Sequence, residues 1–157
     1  MVNFKNRVLD LLLIYVKQEH ANPLALQLIL PALQLMRTTS TPQMANKAAN
    51  LLKTYFDQCR SKGHPDVDDQ AALLQLMRDI HTEVMSRSSS KLHGSTCSRA
   101  SLFIVKVMVA ADEGNYAEAV NVYAETQKTW FASSKSKIQP AFFTEWISWS
   151  INSRKGK

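Results

Sequence analysis

Glycine is scarce in this chain, four among 157 residues. Turn-rich β structure leans on residues that take positive φ readily, so the scarcity favours helix. Cysteine is scarcer still. Cys59 and Cys97 stand far apart, fit neither CxxC nor Cys/His zinc spacing, and read as small core residues with no sign of an oxidising compartment. Cys97, between Thr96 and Ser98 at an expected helix start, is placed where a thiol pKa can fall, but no His or Asp partner is indicated in sequence. His20, His64, His81 and His93 have no mutual spacing for zinc, and His81, in mid-helix, reads as a satisfied or exposed imidazole. Glycine-rich phosphate loops of the dinucleotide and Walker types are absent. Two-metal phosphoryl chemistry needs carboxylates held on a rigid frame, and no aspartate-bearing strand pair is present. The chain is therefore read as no enzyme, with no catalytic, cofactor or metal residue and no small-molecule substrate.

Long hydrophobic runs are also missing. The apolar stretch over residues 8–16 is broken by Asp10 and followed by Lys17, Gln18 and Glu19, with no small-residue cleavage site. It falls short of the roughly 20 residues that a membrane span needs. The expectation is an intracellular, soluble protein with no membrane partner.

What is present is helical patterning throughout. Asn3 is an expected N-cap for a helix over 4–19, with Phe4, Val8, Leu11, Leu12 and Tyr15 on one face and Leu9, Leu13 and Val16 on a second. A helix apolar on two faces is expected between neighbours. Asn22-Pro23 restarts the helix, and Pro31 should kink or split it. A third helix covers 42–60, and a fourth runs from Asp66 or Val67 to Met85 with Ala72, Leu73, Leu76, Met77, Ile80 and Val84 as its stripe. The acidic group Asp66, Asp68 and Asp69 beside His64 lacks EF-hand spacing and is read as carboxylates complementing a helix start. A fifth helix is expected over 96–111, and a sixth capped by Asn115 with Glu118 in a capping-box position. Pro140 opens a seventh with Phe142, Phe143, Trp146, Ile147 and Trp149.

These elements predict an all-α chain of about seven helices, either an armadillo- or HEAT-like repeat segment or a compact bundle. Residues 1–157 form a single domain in this reading. The serine-rich stretch 86–95 is a candidate mobile linker between halves 3–85 and 96–152.

The net charge of +6 is uneven. Residues 1–63 hold eight basic against three acidic residues, 64–94 three against five, and 95–157 eight against five. Such a balance suits attraction to nucleic acid or acidic proteins, or mere solvation of outer faces. Two basic places stand out: Lys135 and Lys137 in the loop before the last helix, and Arg154, Lys155 and Lys157 at the end. Together with Trp149, these are the candidate contacts to nucleic acid or a partner. Trp146 is read as core.

Asn22-Pro-Leu-Ala-Leu-Gln-Leu-Ile-Leu-Pro-Ala-Leu and Lys47-Ala-Ala-Asn-Leu-Leu, with Cys97-Ser-Arg-Ala-Ser-Leu, Val122-Tyr-Ala-Glu-Thr-Gln-Lys-Thr-Trp130 and Lys137-Ile-Gln-Pro-Ala-Phe-Phe-Thr-Glu-Trp146, carry a resemblance. Over residues 3–150 the chain resembles the C-terminal region of the DNA polymerase phi family, also called the Myb-binding protein 1A family, with the fungal polymerase V-like members nearest. The resemblance implies a piece of a large nucleolar protein built of armadillo-like repeats. It also implies a nuclear, nucleolar location and work in rRNA gene transcription and ribosome biogenesis. The implied partners are nucleolar or pre-ribosomal proteins, with rDNA or rRNA as a further candidate. No catalytic residues come with it. Two functions stand side by side: a non-catalytic scaffold, and a direct DNA- or RNA-binding module using the basic loop and tail.

Overall fold

The computed structural model describes residues 2–86 and 90–157. Among the described residues there are seven α-helices and one 3₁₀ segment, with no strand. The helices are α1 (Val2–Gln18), α2 (Ile29–Thr38), α3 (Pro42–Lys62), α4 (Gln70–Val84), α5 (Lys91–Ala111), α6 (Asn115–Ala132) and α7 (Ala141–Lys155), and the 3₁₀ segment Pro23–Leu28 precedes α2.

The α5 helix is the centre. Its 21 residues touch α2, α3, α4, α6 and α7, and Cys97, Ala100, Ser101, Phe103, Ile104, Val105, Val107 and Met108 are all buried. By length and composition α5 is apolar enough to cross a membrane, a feature the sequence reading missed. Here its neighbours cover it, leaving Lys91, Ser95, Arg99, Lys106 and Ala110 as one exposed stripe. The helix starts five residues before the expected Thr96. Ser90 accepts a hydrogen bond from the His93 amide and caps it. Of the stretch 86–95, residues 87–89 lie outside the described residues, and Lys91 to Ser95 belong to α5.

Proline and cap chemistry explain the other starts. Asn22 accepts from the Leu24 amide at 3.0 Å, and Pro23 begins the 3₁₀ segment. Pro31 is the third residue of α2, where its missing N–H costs no helical bond, so the expected split falls just upstream of it. Asp69 accepts from Ala72 N at 3.0 Å and caps α4, which places the acidic group at a helix start as expected, although α4 begins at Gln70 rather than at Asp66 or Val67. Ala72 is exposed, outside the buried stripe. Gly63 ends α3 at φ 109°, a backbone that residues with a Cβ rarely adopt.

Two expected caps are absent. Asn3 lies inside α1, and Asn115 is the first residue of α6, its side-chain amide donating to Gln70 Oε1 and Met108 O. On α1 the two apolar faces are not equivalent. Leu9 and Val16 are buried, Leu12, Leu13 and Tyr15 pack beside them, and Lys47 bridges to Asp10 at 3.0 Å. Phe4 and Leu11 are 68% and 67% exposed, and Val8 and Ile14 are exposed with them, so α1 has a neighbour on one side only.

Two polar groups of the core are paired across helices, those around Glu83 and His81, whereas the buried Tyr55 hydroxyl has no hydrogen-bond partner among the described residues. Glu83 on α4 accepts from Arg37 Nε on α2 at 2.5 Å and from His93 Nε2 on α5 at 3.2 Å. His81, 2% exposed, places Nδ1 2.6 Å from Thr126 Oγ1 and Nε2 2.8 Å from Ser101 Oγ. Thr126 donates to Val122 O, so its oxygen accepts from His81 Nδ1–H. Nε2 then accepts from Ser101, whose oxygen accepts from Tyr123 at 2.7 Å. Every proton in this chain has an acceptor only if the imidazole is neutral. Burial agrees, pushing the His81 pKa down to about 3. The mid-helix histidine is thus a satisfied one.

Aromatic stacking closes the far end. Trp146 on α7 is 6% exposed and lies on Tyr123 with ring centroids 4.3 Å apart and planes 8° apart, while Tyr116 stacks at 5.4 Å.

Trp146→Ala should lower unfolding stability by about 3–5 kcal/mol in a urea titration. A loss under about 1 kcal/mol would show the ring to be dispensable to the core. The histidines set a pH dependence. The folded His81 stays neutral down to about pH 3 while the unfolded one protonates near 6.5, and burial lowers the His93 pKa in the same sense despite the opposing pull of Glu83. The unfolded state therefore binds more protons below pH 6.5, and stability is lost as pH falls, by up to about 1.4 kcal/mol per pH unit for His81, with His93 acting in the same direction. His81→Gln should flatten the slope of stability against pH between pH 6.5 and 4, and an unchanged slope would contradict the assignment.

Candidate functional site

The nucleophiles and bases sit inside the core. Cys97 Sγ lies 3.7 Å from His93 Nε2, and His93 reaches Glu83, which is the residue set of a cysteine hydrolase. Sequence reading named no partner for Cys97, because His93 lies one turn upstream in a stretch taken for a linker. The thiol is in mid-helix, not at the helix start, and burial raises its pKa steeply instead of lowering it. Cys97 and His93 are both 0% exposed, so no substrate reaches them. The Cys59 thiol is likewise pushed up, to about 11, and donates to His20 O at 3.6 Å. Among the described residues, no three or more His, Cys, Asp or Glu side chains are grouped to hold a metal ion.

The sequence-derived candidates fall into two groups. Lys135 and Lys137 are exposed in the loop before α7, with Lys137 beside a small pocket that contains Ser98 and Glu145. Arg154, Lys155 and Lys157 are exposed at the other end of α7. Fifteen residues of helix separate the two groups by roughly 20 Å. Trp149 is half-buried, 5.8 Å from Trp146 and 6.3 Å from Tyr116. With Ile147, Ile151, Arg154 and Lys157 it lines a groove of about 560 Å³. Lys157 is bridged to Glu113. The structure thus brings Trp149, Arg154 and Lys157 together and leaves Lys135 and Lys137 apart.

A third basic surface was not read from the sequence. Between α3 and α5 runs a groove of about 570 Å³ lined by Lys53, Arg60, Arg99 and Lys106, with His64 at one end. Its floor is Phe56, Leu102, Phe103 and Val107. A shallower continuation shares Lys53, Phe56 and Arg99 and extends past Asn50 to Asn46 and Leu92. The walls are the exposed stripes of the two helices: Asn46, Asn50, Lys53 and Arg60 on α3, and Ser95, Arg99 and Lys106 on α5. Asp57 is the one carboxylate in the lining, and it pairs with Arg60 at 3.2 Å. Among the described residues, Lys53, Arg99 and Lys106 have no acidic partner. The sequence signal was there in each helix, a pair of cations seven residues apart on the polar stripe of an apolar helix. Nothing local shows that the two stripes face one groove.

No family model matches the chain, and no solved structure does. Two curated fungal proteins are similar to it. The rDNA transcriptional regulator POL5 of Saccharomyces cerevisiae is 29% identical over 176 aligned residues, covering 99% of this chain and 17% of that protein. The rDNA transcriptional regulator pol5 of Schizosaccharomyces pombe is 24% identical over 155 residues, covering 98% of this chain and 15% of that protein. The chain spans about a sixth of the length of the curated relatives it matches. Its relation to these fungal rDNA transcriptional regulators is a distant, partial homology that runs over nearly all of this chain.

Proposed function

We propose that this chain is a non-catalytic helical scaffold acting in nucleolar rDNA transcription and ribosome biogenesis. The observation that carries the proposal is similarity to two rDNA transcriptional regulators along 98–99% of the chain, on a fold whose thiols are sealed in the core. Buried reactive groups that satisfy one another supply cohesion, and the exposed helix faces are left to act. The partners in this proposal are nucleolar or pre-ribosomal proteins.

A second reading makes the chain a direct DNA- or RNA-binding module through Lys135, Lys137, Trp149, Arg154, Lys155 and Lys157. It is favoured by the one groove that joins Trp149 to Arg154 and Lys157. The separation of the two basic groups along α7 and the Lys157–Glu113 bridge weigh against a single phosphate-binding surface.

Chromatin immunoprecipitation of the tagged protein is expected to enrich rDNA over an unrelated locus, and depletion to lower pulse-labelled pre-rRNA. Cys97→Ala should restore pre-rRNA as fully as the natural chain does. Failure of enrichment together with unchanged pre-rRNA would sink the nucleolar role, and loss of rescue by a folded Cys97→Ala chain would sink the non-catalytic one. For the second reading, purified chain is titrated with duplex rDNA and with rRNA fragments across salt. The scaffold role predicts binding no tighter than the roughly 10⁻⁴–10⁻⁶ M of non-specific association. Tighter binding, lost on Lys135→Glu with Lys137→Glu or on Arg154→Glu with Lys155→Glu, would favour the nucleic-acid module.

A further inference from the structure

We infer that the groove between α3 and α5 is a docking site for an acidic amphipathic helix of a partner protein. The inference rests on the scaffold proposal and deepens it by naming the surface and the chemistry of the partner. Charge comes first: Lys53, Arg60, Arg99 and Lys106 face a single carboxylate, Asp57, that Arg60 already engages. An occupant must therefore be anionic. Spacing comes second. Lys53 and Arg60 are two turns apart on α3, as are Arg99 and Lys106 on α5, about 10.5 Å in each case. A helix lying along the groove with acidic residues seven apart on each flank meets all four cations.

The floor decides between classes of macromolecule. Phe56, Leu102, Phe103 and Val107 form an apolar strip between the two basic walls. A helix with an apolar stripe covers such a strip and removes it from water. A phosphodiester chain has no use for it unless bases can stack there. The rings are engaged with one another, Phe56 and Phe103 at 4.7 Å and Tyr55 and Phe103 at 5.3 Å, and Phe103 is 8% exposed. Phe103 is thus closed to a base, and Phe56, half-buried against it, is a single ring where a run of stacked bases needs several. Length is the last point. From Asn46 to Arg60 the groove follows α3 for about 21 Å, the length of roughly four turns of helix.

The test is fluorescence anisotropy of the whole chain with three probes. The first is an 18-residue peptide with leucine at heptad positions a and d and glutamate at e and g. The second has the same composition with the leucines scattered round the helix. The third is an 18-nucleotide oligo(U). The ordered peptide should bind at micromolar concentration, and at least about tenfold more tightly than the scattered one. The exposed double variant Lys53→Glu/Arg99→Glu should weaken binding by roughly tenfold, with its melting temperature unchanged. Lys135→Glu/Lys137→Glu should leave it as it was. Equal binding of both peptides would reduce the groove to unspecific charge and overturn the inference. Tighter binding of oligo(U), abolished by the same double variant, would assign the groove to nucleic acid instead. Absence of peptide binding would also overturn it, without touching the rDNA and pre-rRNA measurements that decide the scaffold role.

Discussion

Burial of α5 on every side but one is the constraint from which the rest of the structure follows. A 21-residue helix with that many β-branched and aromatic side chains must be enclosed, and α2, α3, α4, α6 and α7 all take part. Enclosure forces polar groups inside as well, since α4 brings His81 and Glu83 and α5 brings His93 and Ser101. A buried polar atom without a partner costs about 1–3 kcal/mol, so each of these is answered from another helix. Glu83 joins α2, α4 and α5 through Arg37 and His93, and His81 joins α4, α5 and α6 through Ser101 and Thr126. These contacts fix the rotation of each helix about its axis, which apolar packing alone leaves loosely set. The rotation of α5 then decides which of its residues see water, Arg99 and Lys106 among them.

The helices were legible because periodicity and caps are local. Pro23, Pro42 and Pro140 each mark a start that neighbouring residues alone determine, whereas the start of α4 was placed at Asp66 or Val67 and lies at Gln70, after Asp69. Trp146 could be read as core because Phe142, Phe143 and Trp146 share a stripe. The face that α1 turns inward could not be read, since Phe4, Val8 and Leu11 are as apolar as Leu9 and Val16. Only a neighbour distinguishes them, and α3 covers the second set. Asn115 is likewise drawn into tertiary contact, being the first residue of α6 with its side-chain amide donating to Gln70, 45 residues away, and to Met108 O. The α5 start was hidden in a run of serines, where composition favoured a linker and the one bond from His93 N to Ser90 Oγ decided otherwise.

The same distinction governs function. Cys97, His93 and Glu83 are close enough to invite a catalytic reading, yet a nucleophile works only where substrate can reach it and where its anion is stabilised. Here burial opposes the thiolate, and Cys97 and His93 are both 0% exposed. Geometry opposes the catalytic reading too: Glu83 and Cys97 both approach His93 Nε2, whereas a triad base holds its carboxylate and its nucleophile on opposite ring nitrogens. The exposed helix faces are the surfaces that a partner can reach.

Among those surfaces, net charge is a poor guide and its arrangement a good one. The terminal cations Arg154, Lys155 and Lys157 are dense in sequence, but one is held by Glu113 and all are exposed on a helix end. Lys53, Arg60, Arg99 and Lys106 are dispersed in sequence and gathered in space, over an apolar floor that lowers the local dielectric and strengthens their field. Long side chains exposed around the last turn of a helix must be ordered before they bind, at a cost in rotamer entropy. Cations rising from two packed helices have their stems placed already. For equal charge, the groove is therefore the surface on which a partner gains specificity, and the tail is the surface on which it gains only attraction.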